Sequence, residues 1–181
     1  LGSKTIDVVA NASAKDVAEA VNIQFDSTGV SATASTNLKI QAKGTSAGSA
    51  TMSIGIIGKN STVRTISAGV TLATAVGGSD ITNLSNAINA YSAETGVVAT
   101  LSADKATVYL TQDEGHDIIL QDLDWADVGN AATHLLEVTG MDSRVFDANG
   151  DELLSGSAVN VYDKLFDDSG GESAGFADSV I

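Results

Sequence analysis

An internal repeat constrains this chain more than any other feature. Residues 20–33 read AVNIQFDSTGVSAT and residues 87–100 read AINAYSAETGVVAT. The blocks align without gaps at an offset of 67, with seven identities in fourteen positions: Ala20/Ala87, Asn22/Asn89, Thr28/Thr95, Gly29/Gly96, Val30/Val97, Ala32/Ala99 and Thr33/Thr100. A block that recurs in this way points to repeated supersecondary units rather than to one continuous core.

Each copy carries the same local logic. In the first, Thr5-Ile6-Asp7-Val8-Val9 is a β-branched run, and Ser13 opens an S-x-x-D capping box with Asp16. Val17, Ala18, Val21 and Phe25 recur at helical spacing, which predicts a helix over 14–26. Gly29 stands where a left-handed cap ends a helix. Val30, Ala32 and Ala34, then Leu38, Ile40 and Ala42, alternate as two strands around a Ser/Thr-rich turn at 35–37. In the second copy Asp80 caps a helix whose apolar face is Leu84, Ala87, Ile88 and Tyr91, and Gly96 ends it. Val97, Ala99 and Leu101 pair with Ala106, Val108 and Leu110 across an Asp104-Lys105 turn. Ahead of that helix, Met52, Ile54 and Ile56 alternate, Lys59-Asn60-Ser61 turns, and a strand begins at Val63 and extends toward Ala73.

The last third is less regular. Residues 128–138 read as a short helix, Arg144–Phe146 and Leu153-Leu154 as a hairpin around Asn149-Gly150, and 159–166 as a further strand. Residues 167–173 read as a Gly-, Ser- and acid-rich loop. The fold class expected is α+β and strand-rich, built from two repeated hairpin–helix–hairpin units. A nested layout follows, with 1–45 plus 129–181 as a base and 46–128 as an inserted distal domain.

Composition excludes several functions. The 181 residues hold no Cys, which removes disulfides, thiolate nucleophiles and cysteine-bound metals. A net charge of -14 argues against a reader of phosphate backbones. At 43% hydrophobic residues the chain is too apolar for a solvated tail, and no stretch is long and apolar enough to span a membrane. Its start at Leu1-Gly2-Ser3, without Met, reads as a piece of a longer polypeptide.

Candidate chemistry is thin. His116 lies in Asp113-Glu114-Gly115-His116-Asp117, an acid–base cluster by type, but polar residues of this kind also collect in strand turns. His134 stands 18 positions away on an unlike segment. Asp147–Asp151 opens like a calcium loop, yet Glu152 and Ala158 occupy the positions where an EF-hand needs Gly and Glu. Asp122, Asp124 and Asp127 around Trp125 resemble a sugar-cleaving carboxylate pair with an aromatic platform; they also suit a helix N-terminus, which is the reading preferred. Asn11, Asn60 and Asn83 begin Asn-x-Ser/Thr triplets. No phosphate loop, dinucleotide fingerprint or nucleophile elbow is present. The expectation is therefore no catalytic residue, no metal and no cofactor.

Residues 83–111, NLSNAINAYSAETGVVATLSADKATVYLT, resemble the repeat of the variable central region of bacterial flagellins. That repeat joins a helix bearing Ala-Ile-Asn to a Thr-Gly-Val turn and a hairpin ending in Leu-Thr. Residues 17–40 resemble it less closely, with Val21 where the other copy has Ile88. The resemblance implies an extracellular, surface-exposed outer domain of a filament subunit, with no filament-core helices in this stretch. Its partners would be other flagellin subunits, with surface glycans on exposed hydroxyls, and it would bind neither nucleic acid nor membrane. Its repeat-motif positions are Ala20, Asn22, Gly29, Val30, Ala87, Ile88, Asn89, Gly96 and Val97. A hook-associated or filament-cap protein carries the same repeat, and a carbohydrate-binding or adhesin module is the reading from another class. The acidic charge then keeps projecting domains apart, and an absence of Cys suits a subunit exported unfolded.

Overall fold

Alternation of apolar and hydroxyl side chains builds the longest hairpin. The computed structural model describes residues 2–44, 47–75, 78–126 and 134–141, together with the backbone of 163–166, 173–176 and 179–180. In β2 (Gly48–Ile57), Ala50, Met52, Ile54 and Ile56 are buried; in β3 (Arg64–Leu72), Ile66, Ala68, Val70 and Leu72 are. The register sets Met52 opposite Ala68 and Ile54 opposite Ile66, so both inner rows land on one face. Each fully buried Ile or Leu is worth about 1.5–3 kcal/mol of transfer free energy.

The remaining elements are α1 (Ala14–Ile23), α2 (Phe25–Thr28), β1 (Ala34–Gly44), α3 (Thr82–Asn89), α4 (Ser92–Thr95), β4 (Val97–Leu101) and β5 (Thr107–Gln112). They are followed by β6 (Ile118–Ala126), β7 (His134–Met141), β8 (Asp163–Phe166), β9 (Ser173–Phe176) and β10 (Ser179–Val180). Two antiparallel sheets result. One runs β4-β5-β1-β7-β8, with β10 pairing the start of β1; the other runs β3-β2-β6-β9. The chain is thus α+β and strand-rich. Leu38 and Ile40 of β1, Leu110 of β5 and Val138 of β7 join the β2, β3 and β6 side chains in one hydrophobic cluster. In each sheet strands distant in sequence pair, β5 with β1 and β9 with β6.

α3 bridges β3 and β4, end strands of the two sheets. It packs on both and buries Leu84, Ser85 and Ile88. Asn83 in its first turn donates to the Gly69 carbonyl of β3 (3.0 Å). Asn89 in its last turn bonds to Ala99 of β4. Tyr91, expected on the buried face, is instead exposed and lies beneath Arg64, whose guanidinium carbon is 4.4 Å from the ring centre.

Five expectations need correction. The Asp122–Asp127 segment is not a helix start, because residues 118–126 form β6. A β-bulge hides this from period-two reading: Asp122 takes φ 53, and Asp122 and Leu123 together face Ile54 alone, between the pairs Gly55–Gln121 and Ser53–Asp124. Inward positions are even-numbered before the bulge (Ile118, Leu120) and odd-numbered after it (Trp125). Residues 134–138, expected within a helix, belong to strand β7, paired along β1 from Gly44–His134 to Asn37–Met141; residues 127–133 lie outside the described part.

The helix expected over 14–26 breaks at Gln24 into α1 and α2. The first copy also forms no hairpin. Residues 30–33 are extended without a ladder, and one strand runs from 34 to 44 through the turn expected at 35–37. Thr36 and Asn37 pair there with β5 and β7, and this long-range pairing outweighs the local Ser/Thr turn preference. Thr5–Val9 is likewise not a strand. The hairpin expected around Asn149-Gly150 and most of 159–173 lie outside the described residues.

Candidate functional site

The repeat positions converge on one local device, present in both segments. Asn22 Nδ2 donates to the Ala32 carbonyl (2.9 Å), and the Ala32 N–H donates to Asn22 Oδ1 (2.9 Å). Asn89 and Ala99 form the same two bonds at 2.8 Å each. The Thr28 hydroxyl donates to the Gln24 carbonyl (2.9 Å) and accepts from the Val30 N–H (3.2 Å). Thr95 repeats this with Tyr91 (3.1 Å) and Val97 (3.1 Å). Gly29 and Gly96 both cap left-handed, with φ 70 and 71, a conformation open to Gly at little cost. Each segment thus turns a helix end into an extended chain, and an Asn amide takes the place of a strand partner. Five of the seven identities, Asn, Thr, Gly, Val and Ala, take part in these bonds or in the cap.

The environments differ. Val97 and Ile88 are fully buried, whereas Val30 is 56% exposed and Val21 only half-buried. Ala87 packs against the core cluster, while Ala20 lies half-buried on α1, whose main neighbour is the start of β1.

The histidine cluster sits in the turn between β5 and β6, against the start of α1. The Gly115 carbonyl accepts from the Lys15 N–H (2.9 Å). Gln112, fully buried, accepts from the N–H groups of Glu114 and His116 at 2.9 Å each, which shapes the turn. Nothing in its sequence neighbourhood singled out Gln112, since a buried glutamine organising a loop has no local pattern. The capping box is formed: Asp16 accepts from the Ser13 N–H (3.0 Å) and hydroxyl (2.9 Å), and these bonds hold its carboxyl below the usual carboxylate range. Asp117 is pushed up by burial and then by the Asp16 charge, and its Oδ1 is buried without a partner. Lys15 pairs with Glu19 and is held above its ordinary value by that bond.

Trp125 and His134 meet inside the protein, with ring centres 5.1 Å apart and a tilt of 36°. Trp125 is 4% exposed, so it presents no platform to a sugar, and Asp122 and Asp124 lie on an exposed strand face. The Asp147–Asp151 loop lies outside the described residues. An open groove of about 290 Å³ runs along Ser49, Thr51, Gly69, Thr71 and Asn83 and has no titratable lining residue. Among the described residues no group of three or more His, Asp or Glu could hold a metal, and no helix is long and apolar enough to cross a membrane. No protein-family model and no curated protein sequence matches the chain.

Proposed function

We propose that this chain is the surface-exposed outer part of a bacterial flagellar filament subunit, a structural element without catalysis. One observation carries the reading: the flagellin-like segment and its weaker counterpart make the same Asn clasp, Thr turn and left-handed Gly cap, bond for bond. In this reading residues 20–33 and 87–100 are two copies of one helix–turn–strand element. They sit in different surroundings because only the second copy is followed by a hairpin.

The surface chemistry supports a projecting role. Hydroxyl side chains fill the outer rows of β2 and β3, and the chain carries a charge of -14. Such a surface stays hydrated and repels its like. The outer domain then sets filament charge, hydration, antigenicity and outer-domain contacts.

Antibodies raised against the 181-residue chain test this on cells of the source bacterium. Immunogold labelling along the whole filament is the expected result. Label confined to the filament tip or the hook junction would assign the chain to a cap or hook-associated protein. Label absent from flagella would overturn the proposal.

A further inference from the structure

The first helix is joined to the sheets by one small contact. Among the described residues, the hydrogen bonds of positions 2–33 stay within that stretch except one, from the Lys15 N–H to the Gly115 carbonyl (2.9 Å). The Gly2–Ser27 bond and the Asn22–Ala32 clasp tie its ends to its own helices. Of its side chains only Ala14 and Ala18 are buried, and none joins the hydrophobic cluster of the sheets. A stretch fastened by one bond and two alanines opens at lower free energy than strands that bury Leu38, Ile54 and Leu110.

Charge gathers on both sides of the contact. A Cβ on Gly115 would sit 2.8 Å from the Lys15 nitrogen and 2.4 Å from the Ala34 Cβ, so the β5–β6 turn meets α1 backbone to backbone. α1 brings Lys15, Asp16 and Glu19, and the turn brings Asp113, Glu114, His116 and Asp117. Ala34 of β1 and the two residues of β10, which also packs on α1, carry no charge. Lys15 pairs with Glu19, Asp16 is engaged by Ser13, and His116 Nε2 lies 3.6 Å from Glu114. Asp117 Oδ1 is buried with no hydrogen-bond partner.

We propose that this contact is a latch that acid tightens: residues 2–33 come away from the sheets as one unit, and an ionised Asp117 facing the Asp16 charge loosens the seat. At neutral pH both carboxylates are charged in the closed form, and opening relieves them. Burial, and then Asp16, raise the Asp117 pKa in the closed form, so Asp117 takes up its proton first as pH falls. The cost of its charge then fades and is gone below the unfolded value. Asp16, lowered by its capping bonds, stays charged and keeps the helix start intact until more acid pH. The inference stands whether or not the chain belongs to a filament.

Native-state amide exchange of the 181-residue protein, with each rate divided by its intrinsic rate, tests this. At neutral pH amides 17–23 should be about tenfold or more less protected than those of Leu38 and Ile40. Their protection should rise about threefold or more between about pH 7 and about pH 4.5. Asp117→Asn should show the acid level already at neutral pH, with no further response. Ile54→Val should lower protection at Leu38 and Ile40 and leave amides 17–23 unchanged, because opening the latch breaks none of the Ile54 contacts. Equal protection of α1 and β1, or a parallel fall of both in Ile54→Val, would mean that no separate opening exists and overturns the proposal. So does protection that stays level or falls in acid, or a pH response kept in Asp117→Asn, which would assign it to His116 or Glu114.

Discussion

Asn89→Ala removes two bonds at once. The side chain donates to the Ala99 carbonyl and accepts from the Ala99 N–H, both at 2.8 Å, and Ala99 is only 6% exposed. Each lost bond forfeits a net ~1 kcal/mol, and a buried backbone group left unpaired costs up to ~3 kcal/mol. Water reaches the site through exposed Asn89 itself, which limits the second effect. The expected loss is therefore about 2–3 kcal/mol.

Asn22→Ala supplies an internal control. Its bonds are nearly as short, at 2.9 Å, but Ala32 is only half-buried and water can replace the amide. About 1 kcal/mol is expected there. Urea unfolding of both variants, followed by the fluorescence of the single Trp125, measures the two losses from midpoints at constant slope. Asn89→Asp should be at least as damaging as Asn89→Ala, because a carboxylate would face the Ala99 carbonyl. Equal losses at positions 22 and 89, or less than about 0.5 kcal/mol at position 89, would refute the argument that burial sets the worth of the clasp.

Gly58→Ala should cost about 2 kcal/mol or more, because a Cβ there would sit 2.2 Å from the Thr95 carbonyl that accepts from the Lys59 N–H; thermal unfolding reports it. Ile88→Ala should cost about 3–4 kcal/mol, against under about 1.5 for Val21→Ala, since the first is sealed in the core and the second half-buried; chemical denaturation compares the two. Asp117→Asn should stabilise the protein at neutral pH. The folded state raises the Asp117 pKa, so its ionised form costs stability above that value, and the gain should fade as pH falls toward the unfolded value; melting curves from pH 7 downward test this. Asp16→Asn should behave oppositely. The folded state lowers the Asp16 pKa, so its contribution is present above the unfolded value and lost as pH falls through the folded one, and the variant's defect should vanish in acid.

Local signals carried the caps of both copies and the hairpin of the second. Ser13 and Asp16 form the capping box expected of them, Gly29 and Gly96 end their helices left-handed, and Val97–Gln112 is a hairpin around the turn at 104–105. What sequence could not supply was long-range pairing. β1 runs straight through a turn-like Ser35-Thr36-Asn37 because β5 and β7 flank it. In β6, one bulge at Asp122 changes the parity of the inward positions, so Leu120 and Trp125 never look like one alternating strand. In β7 the buried set includes His134, a residue that apolar patterning does not count. The clasp was half legible: Asn22 and Asn89 stood out by repetition, but their partners ten residues on emerged only once the chain folded back.

Asn83 and Asn89 of α3 have an effect beyond holding a helix in place. A sheet ends safely only if its last strand offers no free row of donors and acceptors to a stranger. Here the outward backbone groups of Ala99 are taken by Asn89, the Val97 N–H by Thr95, the Gly69 carbonyl by Asn83, and both groups of Thr71 by Asp80. Side chains of Asn83, Asn89 and Thr95, with the Asp80 backbone, thus occupy one end strand of each sheet where a further strand would otherwise add. Variants at Asn83 or Asn89 should therefore do more than melt early: at high concentration their unmasked edges become templates for aggregation.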